Sequence, residues 1–254
     1  MKISGRTQPL SKYPIGECLS IIKHLGFDGV EICLENPDLA PDLLTLELVA
    51  SIRKQVGDFG LHPHSISYHK DFIYDDDMFQ QSCRAIRLTP DFGTNIFIIS
   101  SAWARTKDDA EWNLTVKRTA ELVKVAEDAG VILALEPEPG MVISSTADLL
   151  RLFDAVPSPH LAANLDLGHV FLTDPDPLQS IRQVGAKIIH CHIENMATGI
   201  HNHLLPYEGD MNLAEYLKTL AETGFTGSLA LDLYSYDYEE IAEKSILYLR
   251  GLVG

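Results

Sequence analysis

Four short apolar runs in the second half of this 254-residue chain each end on a residue able to bind a metal ion. Val131–Leu135 runs into Glu136, Leu161–Leu165 into Asp166, Ile188–Ile189 into His190 and His192, and Leu229–Leu231 into Asp232. A carboxylate at the end of a buried strand is costly unless it is paired or holds a cation. Four such ends, all of ligand-capable type, point to one shared ion bound by Glu136, Asp166, His192 and Asp232. One imidazole nitrogen with three carboxylates suits Mn2+, Mg2+, Co2+, Fe2+ or Zn2+, and no thiolate-rich set is present for softer chemistry. The competing use of a lone Asp or Glu at a strand end is to cap the helix that follows. Capping would have to account for all four at once.

Other residues fall near these ends. His169 follows Asp166-Leu-Gly and is a candidate to steady a substrate oxygen, the glycine permitting a tight turn. His201-Asn-His203 opens a polar stretch reaching Asp210, and His203 is a candidate for substrate contact. In Leu61-His-Pro-His-Ser-Ile-Ser-Tyr-His69, either His64 or His69 is expected to line the site, and Glu31 is expected to point into the mouth. Trp103, just beyond Ser100-Ser101, offers an apolar wall. His190 reads better as a hydrogen-bonded interior residue than as a ligand.

The elements that must position these groups repeat. A helix-periodic segment ends near a glycine, a short β-branched run follows, and a polar loop comes next. Helices are expected over Ser11–Leu25, Pro41–Val56, Asp75–Leu88, Lys107–Ala129, Thr146–Phe153, Pro177–Val184, Asn212–Thr223 and Tyr238–Leu252. Strands are expected over Lys2–Ser4, Val30–Leu34, Leu61–Tyr68, Thr94–Ser100 and the four runs above. Strict alternation with buried strands implies a parallel sheet. At this length the expected architecture is an α/β fold, a single-domain (β/α)8 TIM barrel over residues 1–254. The alternative is an open doubly wound sheet, and no GxGxxG follows the first strand to support it. Along each of the four runs, residues two apart share a face. The pairs Ala134/Glu136, Asn164/Asp166, His190/His192 and Ala230/Asp232 therefore place a small or polar group inside and a ligand candidate at the mouth.

Composition narrows the partners. The net charge of −16 argues against a nucleic-acid partner, which needs Lys and Arg to neutralise phosphates. No apolar run approaches the ~18 residues of a membrane span, and a polar N-terminus is a poor secretory signal. The chain is read as cytoplasmic. Its four scattered cysteines, Cys18, Cys33, Cys83 and Cys191, read as buried apolar residues.

At these motifs the sequence resembles the xylose-isomerase-like superfamily, in the sugar isomerase/epimerase branch that shares its barrel with type-IV apurinic endonucleases. The likeness runs through Gly29-Val-Glu31, Leu135-Glu-Pro-Glu-Pro-Gly140, Asp166-Leu-Gly-His169, His192-Ile-Glu-Asn195, His203-Leu-Leu-Pro-Tyr-Glu-Gly-Asp210 and Gly224-Phe-Thr-Gly-Ser-Leu-Ala-Leu-Asp232. It implies one divalent metal on Glu136, Asp166, His192 and Asp232, a small sugar-like substrate, and a homodimer. It also implies that Glu136 and Asp232 carry the proton transfer, with Asp232 shorter than the Glu usual on that strand. The endonuclease branch holds three zinc ions. His64, Glu136, Asp166, His169, His192, His203 and Asp232 match its positions, but the fourth strand ends without His and position 201 is His rather than Asp.

The expected activity is isomerisation or epimerisation of a small keto sugar through an enediolate, with a metal as Lewis acid and carboxylates as acid and base. The alternatives are a dehydratase on a related substrate, a phosphoesterase needing two or three metals, and a non-catalytic metabolite-binding barrel.

Overall fold

In the computed structural model, which describes residues 1–253, eight parallel strands close on themselves. They are β1 (Lys2–Arg6), β2 (Gly29–Cys33), β3 (His62–Ser67), β4 (Ile96–Ser100), β5 (Ile132–Glu136), β6 (Leu161–Asp166), β7 (Ile188–Ile193) and, after an intervening hairpin, β10 (Ser228–Leu231). The hairpin pairs β8 (Asn195–Ala197) with β9 (Ile200–Leu204). Chain order is the order around the barrel, and β1 closes it by pairing with β2 at Ser4–Gly29 and with β10 at Lys2–Ser228.

Helices cover the outside: α1 (Ile15–His24), α2 (Leu46–Asp58), α3 (Asp76–Leu88), α4 (Asp109–Ala129), α5 (Thr146–Ala155), α6 (Leu167–Thr173), α7 (Pro177–Val184), α8 (Leu213–Glu222) and α9 (Tyr238–Val253). Their starts follow local chemistry. Thr45, Asp75, Asp108 and Asp176 each accept a backbone N–H two or three residues into the helix they precede. Ser145 and Asp148 form a reciprocal capping box. Two helices start well inside their expected segments: Pro14 caps α1, which begins at Ile15 rather than Ser11, and Thr45 caps α2, which begins at Leu46 rather than Pro41. At the other end of α4, Gly130 takes a left-handed φ of 67° and stops the helix.

The barrel divides the side chains into two populations. Val30, Ile32, Ile66, Phe97, Ile99, Leu133, Leu135, Leu165, Cys191, Leu229 and Leu231 join the large apolar layer between strands and helices. Ile98, Ala134, Ala162 and Ala230 are equally buried but stand apart from that layer, facing the barrel axis. Small residues there leave room for a polar column. Ser65 Oγ meets His190 Nε2 at 3.2 Å, His190 Nδ1 meets Asn164 Oδ1 at 2.8 Å, and Asn164 Nδ2 donates to Glu136 Oε2 at 2.8 Å. Burial pushes His190 down to about 3, so it serves as the neutral interior hydrogen-bonding residue that the sequence reading favoured. All four cysteines are buried and unbridged.

Candidate metal centre

The C-terminal ends of the strands converge on a cavity of about 210 Å3. His192, on β7, stands at its base. Its Nε2 lies 3.0 Å from Glu31 Oε2, and its Nδ1 lies 3.3 Å from Glu136 Oε2, 4.0 Å from Asp166 Oδ2 and 3.9 Å from Asp232 Oδ2. A carboxylate holding one imidazole nitrogen fixes the ring and turns the other nitrogen to the centre, the usual support of a metal-bound histidine. Burial by itself would lower His192, but Glu136 and Glu31 outweigh it and hold the group well above its ordinary range. Burial likewise opposes ionisation of Glu31 and Glu136. Arg6 and His192 keep Glu31 well below the usual range, and His192 together with His69 and His169 does the same for Glu136.

The four expected ligands do not form one set. Ligand atoms of Glu136, Asp166 and His192 lie within 4.8 Å of one another, and Asp232 falls in an adjoining set with Asp166, Glu194 and His203. The reason is Arg6. Its guanidinium donates from Nε to Glu31 Oε1 at 2.9 Å and pairs through Nη1 with Asp232, tying the eighth barrel strand to the first.

Asp166 serves two ends. Its Oδ1 accepts the His169 N–H at 2.8 Å and caps α6, while its Oδ2 is buried without a hydrogen-bond partner. An orphaned buried carboxylate oxygen beside an imidazole is what a cation site looks like when protein atoms alone are counted. The donor set of one nitrogen and several carboxylate oxygens fits the divalent ions expected from the sequence.

Histidines line the cavity wall. His169 donates from Nδ1 to the Pro137 carbonyl at 3.1 Å, and His203 from Nδ1 to the Asp232 carbonyl at 3.0 Å. Both therefore turn Nε2 inward, to 3.1 Å and 3.3 Å from His201 Nε2. His69 joins from the loop after β3, with Nδ1 3.0 Å from Ser100 Oγ and 3.8 Å from Glu136 Oε2. Tyr234 packs over His203 with ring centroids 4.6 Å apart. Glu138 also faces the cavity, and burial beside Glu136 pushes its carboxyl up to about 7.

Three expected substrate contacts lie elsewhere. Glu31 is fully buried beneath the cavity, where it holds Arg6 and His192 instead of reaching the mouth. His64 sits near the N-terminal end of β3, beside the bulge that pairs Glu31 with Ser65, its ring packed against Gly29. Of the two alternatives on that strand, His69 is the one in the cavity. Trp103 is 62% exposed and lies across Gly140 outside the cavity lining, because its backbone pairs with Met141. His169 and His203 do line the cavity.

Arg6 and Glu194 were missed, though each was within reach of a period-two reading. Arg6 is two residues past Ser4, where the expected first strand stopped, and Glu194 continues the alternation His190, His192.

A family model for the xylose isomerase-like TIM barrel matches residues 19–252. The chain belongs to that family. Among curated proteins, fructoselysine 3-epimerase of Escherichia coli O157:H7 is 26% identical over 248 residues, covering 92% of this chain and 90% of the relative. Among solved structures, the probable 3-DHS dehydratase AsbF of Bacillus anthracis superposes with a TM-score of 0.85 at 18% identity, covering 98% of this chain and 99% of that one. The 3-keto-D-glucoside 4-epimerase YcjR of E. coli gives 0.82 at 19%, covering 99% of each. At these identities the structural matches speak for the fold, which is the closed barrel expected from the sequence. Among the described residues no helix is long and apolar enough to cross a membrane.

Proposed function

We propose that this chain is a divalent-metal-dependent epimerase or isomerase of a small keto sugar. The observation that carries the reading is the convergence of Glu136 and His192, which line a cavity walled by histidines, with Asp166 buried beside them and Asp232 adjoining. Full-length similarity to a sugar epimerase supports it. The ion would be held by Glu136, Asp166 and His192 with Asp232 beside them, and when bound it supplies Lewis-acid stabilisation of an enediolate's negative charge.

The chain's own groups do the rest. Glu136, kept ionised by His192, is placed to take the carbon-bound proton. Asp232, across His192 from Glu136, is placed to return a proton from the other side, oriented by Arg6. His169 presents Nε2 to the cavity and steadies a substrate hydroxyl. Arg6 is the sole Lys or Arg lining the cavity, and Glu31 and Asp232 already engage it. That favours an unphosphorylated substrate. A cytoplasmic, homodimeric enzyme is the setting that fits this chemistry and the family.

The test is solvent-proton exchange. With Mn2+ supplied, candidate ketoses in D2O should acquire deuterium at the epimerised carbon, followed by NMR. Glu136→Gln should lower that rate by about 10^2–10^4-fold and weaken metal retention. Exchange and metal content that both survive the substitution would remove Glu136 from the centre. A dehydrated, ultraviolet-absorbing product would reassign the protein to the lyases.

A further inference from the structure

Glu136 is gripped from inside the barrel by a residue that does not line the cavity. Asn164 Nδ2 donates to Glu136 Oε2 at 2.8 Å, closer than His192 at 3.3 Å, His169 at 3.5 Å or His69 at 3.8 Å comes to that carboxylate. Asn164 is fully buried, two residues before Asp166 on β6 and so a layer below it. The paired alanines Ala134 and Ala162 leave it room on the axis side.

An amide has a donor end and an acceptor end, and one orientation suits this place. Turned over, it would set Oδ1 against Glu136 Oε2 with no hydrogen between them. The orientation is decided at the far end. His190 is the register partner of Asn164 across β6 and β7, and its Nδ1 lies 2.8 Å from Asn164 Oδ1. A proton on Nδ1 holds the amide oxygen and so turns the amide nitrogen to Glu136. That proton is required whatever Nε2 carries. Nε2 meets Ser65 Oγ at 3.2 Å, a hydroxyl able to give or to take a hydrogen bond. Ser65, His190, Asn164 and Glu136 are all buried, and β3, β7, β6 and β5 supply one each. From His190 onward the hydrogen bonds run one way, into the carboxylate. Bonds in such a chain polarise one another, and the last has a charged acceptor, which makes it the strongest kind.

We propose that His190 and Asn164 are positioning residues for Glu136: the imidazole locks the amide, and the amide locks the plane of the carboxylate. One lone pair of Oε2 is held inward, and the others face the cavity in a fixed direction. The inference rests on reading Glu136 as a member of the metal centre.

Two measurements test it. Long-range 1H–15N correlation spectra of protein labelled at histidine read the tautomer. Nδ1 of His190 is expected to carry a proton, and a bare Nδ1 overturns the lock. These spectra use the unaltered protein, so they decide even where a variant does not fold. Calorimetric titration of metal-stripped protein with Mn2+ reads the consequence. Asn164→Leu and His190→Leu should each weaken binding about 10–100-fold, the usual loss when the group behind a metal ligand is removed. His190→Asn sets an amide N–H near the place of Nδ1 and should recover most of that loss. His190→Gln, whose amide reaches toward the place of Nε2, should not. A packing defect alone would not separate those two variants. Equal affinity in His190→Asn and His190→Leu overturns the proposal, as does unaltered affinity in Asn164→Leu. Deuterium exchange into a ketose with Mn2+ affinity unmoved in all four variants would remove this lock and leave the proposed function standing. The graded affinities without exchange into any ketose would keep the lock and remove that function.

Discussion

Single residues in this protein carry two duties, and their second duty is visible only in place. Asp166 meets both readings that a strand-end carboxylate invites: one oxygen caps α6 and the other faces the centre. Glu31 was expected at the mouth and instead braces His192 from below. Glu138 has a measurable consequence. Its carboxyl sits at about 7 against an ordinary 4.5, so the fold prefers it uncharged. Its contribution is therefore whole below about pH 4.5 and is lost as pH rises through 7. At 1.36 kcal/mol per pKa unit that shift is about 3 kcal/mol, and its partial contact with solvent reduces it to on the order of 1–2 kcal/mol. Chelator-treated Glu138→Gln should be more stable than the unaltered protein by that amount at pH 8 and equal to it at pH 4 in urea melts. An equal gain at both pH values would remove charge as the cause.

At the scale of elements, the turn from β6 into α6 shows how a loop is held to a buried carboxylate. A Cβ on Gly168 would come within 2.2 Å of Glu194 Oε1 and 2.5 Å of Met196 Cε. The glycine of Asp166-Leu-Gly-His169 is thus required by close packing, since its φ is not among the positive values. Gly168→Ala should cost about 1–3 kcal/mol, as overpacking does, and displace Glu194 as well. Chemical denaturation reads the first effect and a crystal structure of the variant the second. Wild-type stability would mean that the carboxylate yields freely. Where the sequence shows only a polar loop, the chain forms the hairpin β8–β9. It delivers His201 and His203 to the cavity through antiparallel pairing of Ala197 with Ile200. Its strands are three and five residues long, too short for a legible alternation.

For the whole molecule, barrel closure is what makes the centre. Arg6 and Asp232 come from opposite ends of the chain and meet because β1 pairs with β10. The closed sheet therefore gathers like charges that an unfolded chain keeps apart, and cation binding should be linked to folding. An ion present at one hundred times its dissociation constant adds about 2.7 kcal/mol, which for a chain of this size is about 5–10 °C in Tm. Mn2+ should raise the unfolding midpoint by that amount and a chelator should reverse it. A midpoint indifferent to both would mean that the carboxylates bind no ion, and the proposed chemistry would fall with it.

The architecture, and the convergence of Glu136, Asp166 and His192, were legible in the linear sequence. Strand and helix periods, glycine stops and capping residues are local, and they forced an alternating parallel barrel. Glu136, Asp166 and His192 stand at the ends of apolar runs, where the pleat fixes their side. What the chain could not declare is which groups meet across the barrel. That depended on register and depth: His64 lies a layer too low, Trp103 is drawn aside by Met141, Arg6 claims Asp232, and Glu194 turns under Gly168. Coulombic pairing acts through space, so which carboxylates the Arg6 guanidinium engages was settled only when the sheet closed.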